Sequence, residues 1–327
     1  VPMSDQRAAG PALRGALARL MGATDGEVLA ERSDGTVVRV GDRVAKAHDP
    51  DAEAGALAVR LGVAAAEQYA GVLLAPLPRG GPVEVCGGRN ASVWPYGSPV
   101  DPDDPGAAPW EAAGDLLARL HAAPLPVPGR LPGPLPPMRG PVKAARAVTR
   151  MRSAPGGTLV AAARTVERAW AALPAWCRGE EPPPRATTVC HGDFHLGQLV
   201  RHPAGTGGWH LIDVDDLGLG DPAWDLARPA CWYATGLLVP DAWERFLGAY
   251  VRTVRAAGAR SGLAEEDPWP RLDAPARALT VQSAALGIAK ARAAGRVLDE
   301  AEETCVAACA RMAAVAAQAE LPAPQGP

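Results

Sequence analysis

Three short stretches, residues 27–31, 36–40 and 43–48, alternate apolar and polar positions or run β-branched, with the turn signals Ser33-Asp34-Gly35 and Gly41-Asp42 between them. Period-two patterning punctuated in this way predicts a three-stranded antiparallel meander. The period then changes, and 51–61 (DAEAGALAVRL) reads as a helix with Glu53 in its first turn. Further strands are predicted over 72–77, 83–86 and 91–94, ending at Trp94-Pro95-Tyr96-Gly97. After a linker over 101–109, rich in Pro and Asp, helical spacing takes over at 110–122, 142–152 and 157–176, interrupted by a Pro-rich loop over 124–141. A short helix is predicted ahead of the meander over 11–21, and three more over 241–259, 272–296 and 299–319.

Between the helices lies a stretch of different character. Residues 188–190 form a β-branched run that stops at Gly192, and 198–202 and 209–214 are apolar runs joined by Pro203-Ala-Gly-Thr-Gly-Gly208, which predicts a hairpin. The expected class is α+β, with strands early and helices late.

The chain has 327 residues, 48% of them hydrophobic, which is ample for a buried core. No apolar run approaches the ~18 residues that a spanning helix needs, and the N-terminus lacks a basic-then-apolar leader pattern. A formal charge of −3 without a basic stripe argues against a nucleic-acid partner. The expectation is a cytoplasmic protein acting on small molecules, with no membrane and no nucleic acid. Cysteines at 86, 177, 190, 231, 305 and 309 form no CxxC pair, and reduced, buried thiols are expected. Lysine occurs only at 46, 143 and 290, so each position is informative.

Acidic and imidazole side chains crowd the stretch from Thr188 to Arg228. His191-Gly192-Asp193, four residues, then Gln198 has the frame of the protein-kinase catalytic loop, in which the Asp takes the acceptor's proton and an amide helps to hold magnesium. Asp213 leaves the second strand of the predicted hairpin, so both carboxylates can face one site. Phosphoryl transfer needs this set: one carboxylate at the nucleophilic hydroxyl, and oxygen ligands holding Mg²⁺ against the phosphates. Lys46, inside the third strand, is either a solvated edge residue or a phosphate-binding lysine, and an ion pair with Glu53 would orient it for the second role.

HGDFHLGQ, LIDVDD and GDPAWDLAR together resemble the aminoglycoside phosphotransferase family of small-molecule kinases, whose usual pattern is HGD, four residues, Asn, an Ile-Asp pair and DP-x-x-DLA. Gln198 stands where that pattern has Asn, and the HxGQ ending is similar to maltokinases. The resemblance implies a two-lobed, protein-kinase-like fold with a nucleotide-binding lobe over 1–96 and a catalytic, acceptor-binding lobe over 97–327. It implies ATP or GTP as co-substrate with Mg²⁺, Asp193 as the catalytic base, Gln198 and Asp213 as metal ligands, and His191 and Asp225 in support. Lys46 and Glu53 would serve the phosphates, with Trp94 and Tyr96 at an adenine-binding hinge. Ser33-Asp34-Gly35-Thr36, with a single glycine, is the candidate phosphate loop. Asp215 and Asp216 are extra acids that either help the metal or are solvated; Asp221 is a candidate helix cap. Acids at 265, 266, 267, 300, 302 and 303 are available to a cationic acceptor, and Trp232 and Tyr233 to a sugar ring. Two other readings stay open: a nucleotide-binding pseudokinase, motivated by Gln198 and the poor glycine loop, and a metallophosphohydrolase using His191, Asp193 and His195.

Overall fold

The computed structural model describes residues 3–32, 34–77, 81–85, 88–155, 158–258, 263 and 267–319. The meander is present as β1 (Glu27–Glu31), β2 (Thr36–Val40) and β3 (Arg43–Ala47). It is extended by β5 (Asn90–Pro95) and β4 (Val83–Glu84) into a five-stranded antiparallel sheet of order β1-β2-β3-β5-β4. Strand alternation sorts its two faces. Val38, Ala45, Ala47 and Ala91 are buried in one cluster with Leu13 and Leu17 of helix α1 (Met3–Leu20) and with Met21 just beyond it. Lys46, between Ala45 and Ala47 and opposite Ser92, therefore points to the other face, toward the rest of the chain.

The remainder is mainly helical: α2 (Ala54–Ala65), α3 (Trp110–Ala122), α4 (Gly140–Ser153), α5 (Val160–Ala171), α6 (Ala223–Thr235), α7 (Pro240–Ala256), α8 (Trp269–Ala294) and α9 (Glu300–Ala319). Helix α8 packs on α4, α6 and α9 and is buried mainly through its middle, 278–289, which carries no charged residue. Where α3 crosses α7, Gly114 lies against the Phe246 carbonyl and the Tyr250 amide, so that any side chain would collide with backbone. This is the α+β, two-lobed kinase-like architecture that the sequence predicts.

Four short strands set the site. β7 (Thr188–Cys190) pairs antiparallel with β10 (Gly218–Gly220), and β8 (Leu199–His202) with β9 (Gly208–Leu211), β6 (Ser98–Pro99) lying on the outer edge of β8. Residues 191–198 connect β7 to β8, and 212–217 connect β9 to β10. With both pairs antiparallel, the two connections must lie side by side.

Several expected boundaries move, each for a local reason. The run 72–77 is no strand; it makes only isolated bridges, at Leu73 and Leu77, because Pro76 lacks a donor and Val72 and Leu74 bond instead to Leu211. The helix expected from 51 starts at Ala54, since Asp49 caps a turn through the Ala52 and Asp51 amides. The helix expected over 157–176 stops at Ala171, and after Pro174 the chain continues as a 3-10 turn, Ala175–Arg178. The N-terminal helix begins at Met3 and carries Pro11 within it, its second half held down by Leu13 and Leu17. Ser33, Cys86, Gly157, Glu265 and Glu266, which figure in the sequence expectations, lie outside the described residues.

Candidate active site

The first connection is braced by a buried carboxylate. Asp225, in the first turn of α6, accepts the His191 N–H at 2.6 Å and the Gly192 N–H at 2.8 Å, and His121 Nε2 lies 3.0 Å away. His121 Nδ1 is satisfied by the Tyr250 hydroxyl at 2.9 Å. Gly192 has φ +84, and a Cβ there would run into the Asp216 carbonyl oxygen, so glycine lets the two connections touch. His191 Nε2 donates to the Ile212 carbonyl at 2.7 Å, tying one connection to the other, while its buried Nδ1 has no partner.

These contacts deliver Asp193 to a cationic setting. Lys143 Nζ donates to its Oδ2 at 2.6 Å and to Asp216 Oδ2 at 2.7 Å, and Arg228 Nη2 donates to its Oδ1 at 2.9 Å. Lys143 reaches inward because the first turn of α4 docks on the second connection, Arg139 N–H bonding the Asp216 carbonyl and Met138 N–H that of Leu219. Burial by itself would push the Asp193 carboxyl up, but Lys143 and Arg228 outweigh it and hold the group below the usual carboxylate range. Asp216 is buried more deeply, and there desolvation wins and raises its carboxyl.

Asp213 sits in the left-handed region, φ 63 and ψ 72, a conformation that costs a non-glycine residue energy and is tolerated best by Asn and Asp. Lys46 Nζ is 2.5 Å from Asp213 Oδ1 and 3.1 Å from Asp215 Oδ2. The expected Lys46–Glu53 pair is therefore corrected. Because α2 begins at Ala54, Glu53 is its exposed N-cap residue, and the acids beyond β9 take the lysine instead. Burial opposes ionisation of all three groups, yet mutual attraction lowers both carboxyls and raises the ammonium. Asp215 and Asp216 are not solvated extras. A chain runs from Trp94 Nε1 to Ser92 Oγ (2.8 Å), to His48 Nε2 (2.7 Å), and from His48 Nδ1 to Asp215 Oδ1 (2.7 Å).

Gln198 Nε2 lies 3.4 Å from Asp213 Oδ2, so the amide and the carboxylate expected to share a metal are brought together. The carboxylate oxygens of Asp213 and Asp215 are hard donors, which suit Mg²⁺ and not a softer metal, and Gln198, whose Nε2 faces Asp213 here, would add its amide oxygen with the amide turned over. The β1–β2 turn closes with reciprocal Arg32 and Gly35 backbone bonds and lies over Lys46, whose Cε would be 3.9 Å from a Cβ at Gly35.

The hinge expectation needs revision at Tyr96. Its N–H donates to the Asp42 carbonyl, its own carbonyl accepts from His202 Nδ1 at 3.0 Å, and its ring lies 3.5 Å below the Arg39 guanidinium. Its backbone donor is thus engaged inside the protein, and Trp94 is buried with its indole N–H on Ser92. The metallophosphohydrolase reading finds no support in the placement of its residues: His191 Nε2 is bonded to Ile212 and His195 Nδ1 to the Gly197 N–H, and His191, Asp193 and His195 do not bring their ligating atoms together. Among the described residues, the group with ligating atoms close enough to share a metal is His121, Cys190 and Asp225. Their nitrogens and oxygens are already hydrogen-bonded, and burial pushes the Cys190 thiol far up, so this is a brace.

Lys143, Arg228 and His48 are the site residues that local patterning does not find. They lie 50, 35 and 145 positions from Asp193, and the scarcity of lysine was the one available hint.

A family model described as the phosphotransferase enzyme family matches residues 25–269, which takes in both connections and the strand carrying Lys46. The chain belongs to this family. Solved structures with a similar fold include a choline/ethanolamine kinase family protein from Mesorhizobium loti, 20% identical, covering 95% of this chain and 100% of that one with a TM-score of 0.50. A thermostable variant of aminoglycoside phosphotransferase APH(4)-Ia, in ternary complex with AMP-PNP and hygromycin B, is 17% identical over 89% of this chain and 95% of its own, with a TM-score of 0.54. Spectinomycin phosphotransferase APH(9)-Ia, with ADP and spectinomycin, is 12% identical, covers 90% and 94%, and has a TM-score of 0.52. At such identities the likeness is one of fold. No curated protein matches the sequence. In this member of the phosphotransferase enzyme family, no helix among the described residues is long and apolar enough to cross a membrane.

Proposed function

We propose that the protein transfers the γ-phosphoryl group of ATP or GTP to a hydroxyl of a small molecule, a sugar or sugar derivative being the class that its maltokinase-like HGDFHLGQ loop and its aminoglycoside phosphotransferase-like motifs favour. The observation that supports this most is the side-by-side placement of Asp193 and Asp213 on two connections, with Lys46 on the second and Lys143 between Asp193 and Asp216. Residues 1–96 would supply the nucleotide side and 97–327 the catalytic and acceptor side, in the cytoplasm.

Asp193 takes the proton of the acceptor hydroxyl as its oxygen bonds to the γ-phosphorus; the bond from phosphorus to the β,γ-bridging oxygen breaks, and the nucleoside diphosphate leaves with that electron pair. Lys46, oriented by Asp213 and Asp215, binds the phosphates. Asp213, Asp215 and Gln198 would hold Mg²⁺, which when bound neutralises phosphate charge.

Incubation with Mg²⁺ and ATP or GTP against pooled sugars, amino sugars, aminoglycosides and amino alcohols is expected to yield one compound heavier by a phosphoryl group in mass spectrometry. Nucleotide binding without any such product would favour the pseudokinase reading. Asp213→Asn, which keeps a residue that tolerates the left-handed backbone, is expected to weaken Mg²⁺-dependent nucleotide binding at least as much as the roughly tenfold that loss of a ligand's supporting partner costs. Calorimetry with and without Mg²⁺ measures it; equal Mg²⁺ dependence in the variant and the parent would remove Asp213 from the metal set.

A further inference from the structure

The charges around the two carboxylates are divided unequally. On the nucleotide side, Asp213 and Asp215 outnumber Lys46, a surplus of acid that suits a divalent cation. Around Asp193 the balance reverses. Lys143 at 2.6 and 2.7 Å, Arg228 at 2.9 Å and Arg139 at 3.7 Å surround Asp193 and Asp216, so three cations meet two carboxylates.

A polycationic acceptor would be opposed by this arrangement. The described acids that might have attracted amines are used or remote: Glu302 is bonded to Arg296 at 2.6 Å, Asp267 caps the Trp269 N–H, and Glu300 and Glu303 are exposed on α9.

Arg228 is also incompletely used. Its Nη2 donates to Asp193 and, at 3.4 Å, to the buried Gln282 amide oxygen, whereas its buried Nε–H has no partner. A buried guanidinium donor without a partner is costly, and the guanidinium fork matches a carboxylate or a phosphate. Lys143, one-third exposed beside it, can reach the same ligand.

Resting on the phosphotransferase reading above, we infer that the acceptor is a hydroxyl compound carrying an anionic group, a carboxylate or a phosphate, which Lys143 and Arg228 bind beside Asp193. The anion competes with Asp193 for these two cations, so its arrival loosens their hold on the base as the hydroxyl comes within reach.

The test supplies Mg²⁺ and ATP with three sets of acceptors: hydroxycarboxylic and sugar acids; sugar phosphates; and aminoglycosides with neutral sugars. ATP affinity is measured calorimetrically on the same preparation. Product is expected in the first or the second set, and which one tells the source of the anion. For that acceptor, Arg228→Lys, which keeps the charge but loses the fork, and Lys143→Met are expected to raise KM by about tenfold or more with ATP affinity unchanged. ATP binding with product only in the third set, or with none in the first two, overturns the inference and leaves nucleotide binding standing. So does a fall in kcat alone, equal for every acceptor and for water, because the cations would then serve the transferred phosphoryl group. Absence of ATP binding would remove the phosphotransferase reading beneath it.

Discussion

Asp193→Asn is expected to lower kcat for phosphoryl transfer by about 10²–10⁴-fold, the usual contribution of a positioned general base, while leaving nucleotide affinity and melting temperature close to those of the parent. The fold should tolerate the change because the neighbours keep partners: Lys143 retains Asp216 at 2.7 Å, and Arg228 retains Gln282 at 3.4 Å. Only the charge and the proton acceptor are lost. Although Lys143 and Arg228 each occupy one oxygen, a carboxylate offers about four lone-pair positions, so the hydroxyl can still bond to it. The pH dependence follows from the sign of the shift. Cations hold the Asp193 carboxyl below its usual range, so the group stays ionised as pH falls, and its protonation cannot produce an acid limb between about pH 5 and 8. A parent rate that declines through that window must owe it to another group. Wild-type turnover in Asp193→Asn would sink the assignment of the base.

How much of this site could be read from the sequence depends on whether the information is local. The meander was legible because each strand carries its own alternation and its own turn residues, and β1 and β2 begin and end where the pattern does. The two connections were legible because HGD, the four-residue gap to Gln198 and the later Asp213 are fixed by backbone geometry over a few residues. The partner of Lys46 was not. A shift of three residues in the start of α2, caused by the Asp49 turn, moves Glu53 from the first turn to an exposed cap. The sequence leaves Asp215 and Asp216 open between helping the metal and being solvated, and only tertiary packing, of His48 on Asp215 and Lys143 on Asp216, half-buries the first and buries the second. Lys143 and Arg228 are ordinary helix cations by local pattern; tertiary structure gives them Asp193. At the aromatic segment 94–96, the hydrogen bonds to Asp42 and His202 that engage the Tyr96 backbone are likewise invisible in sequence.

Asp225→Ala is expected to produce the largest loss of stability among the site variants, about 3–5 kcal/mol, since each buried donor left without its acceptor costs about 1–3 kcal/mol. The carboxylate is 1% exposed and accepts two backbone N–H groups, from His191 and Gly192, besides facing His121 Nε2. Those amides cannot turn to another acceptor. Gly192 is in the left-handed region, where its N–H points into the protein away from any strand partner, and the neighbouring Asp216 backbone leaves no room for it to rotate. In a chain of this size the loss corresponds to a fall in melting temperature of about 4–7 °C. Asp225→Asn should rescue little, because one of its two amide positions presents N–H to an N–H donor. Activity should fall with stability even well below the melting temperature, since His191 and Gly192 hold Asp193 in place, whereas Asp193→Asn should separate the two by losing activity alone. Thermal unfolding of the two variants beside the parent decides this: a parent-like melting temperature in Asp225→Ala would mean that the loop is held by β7 and β8 without its brace.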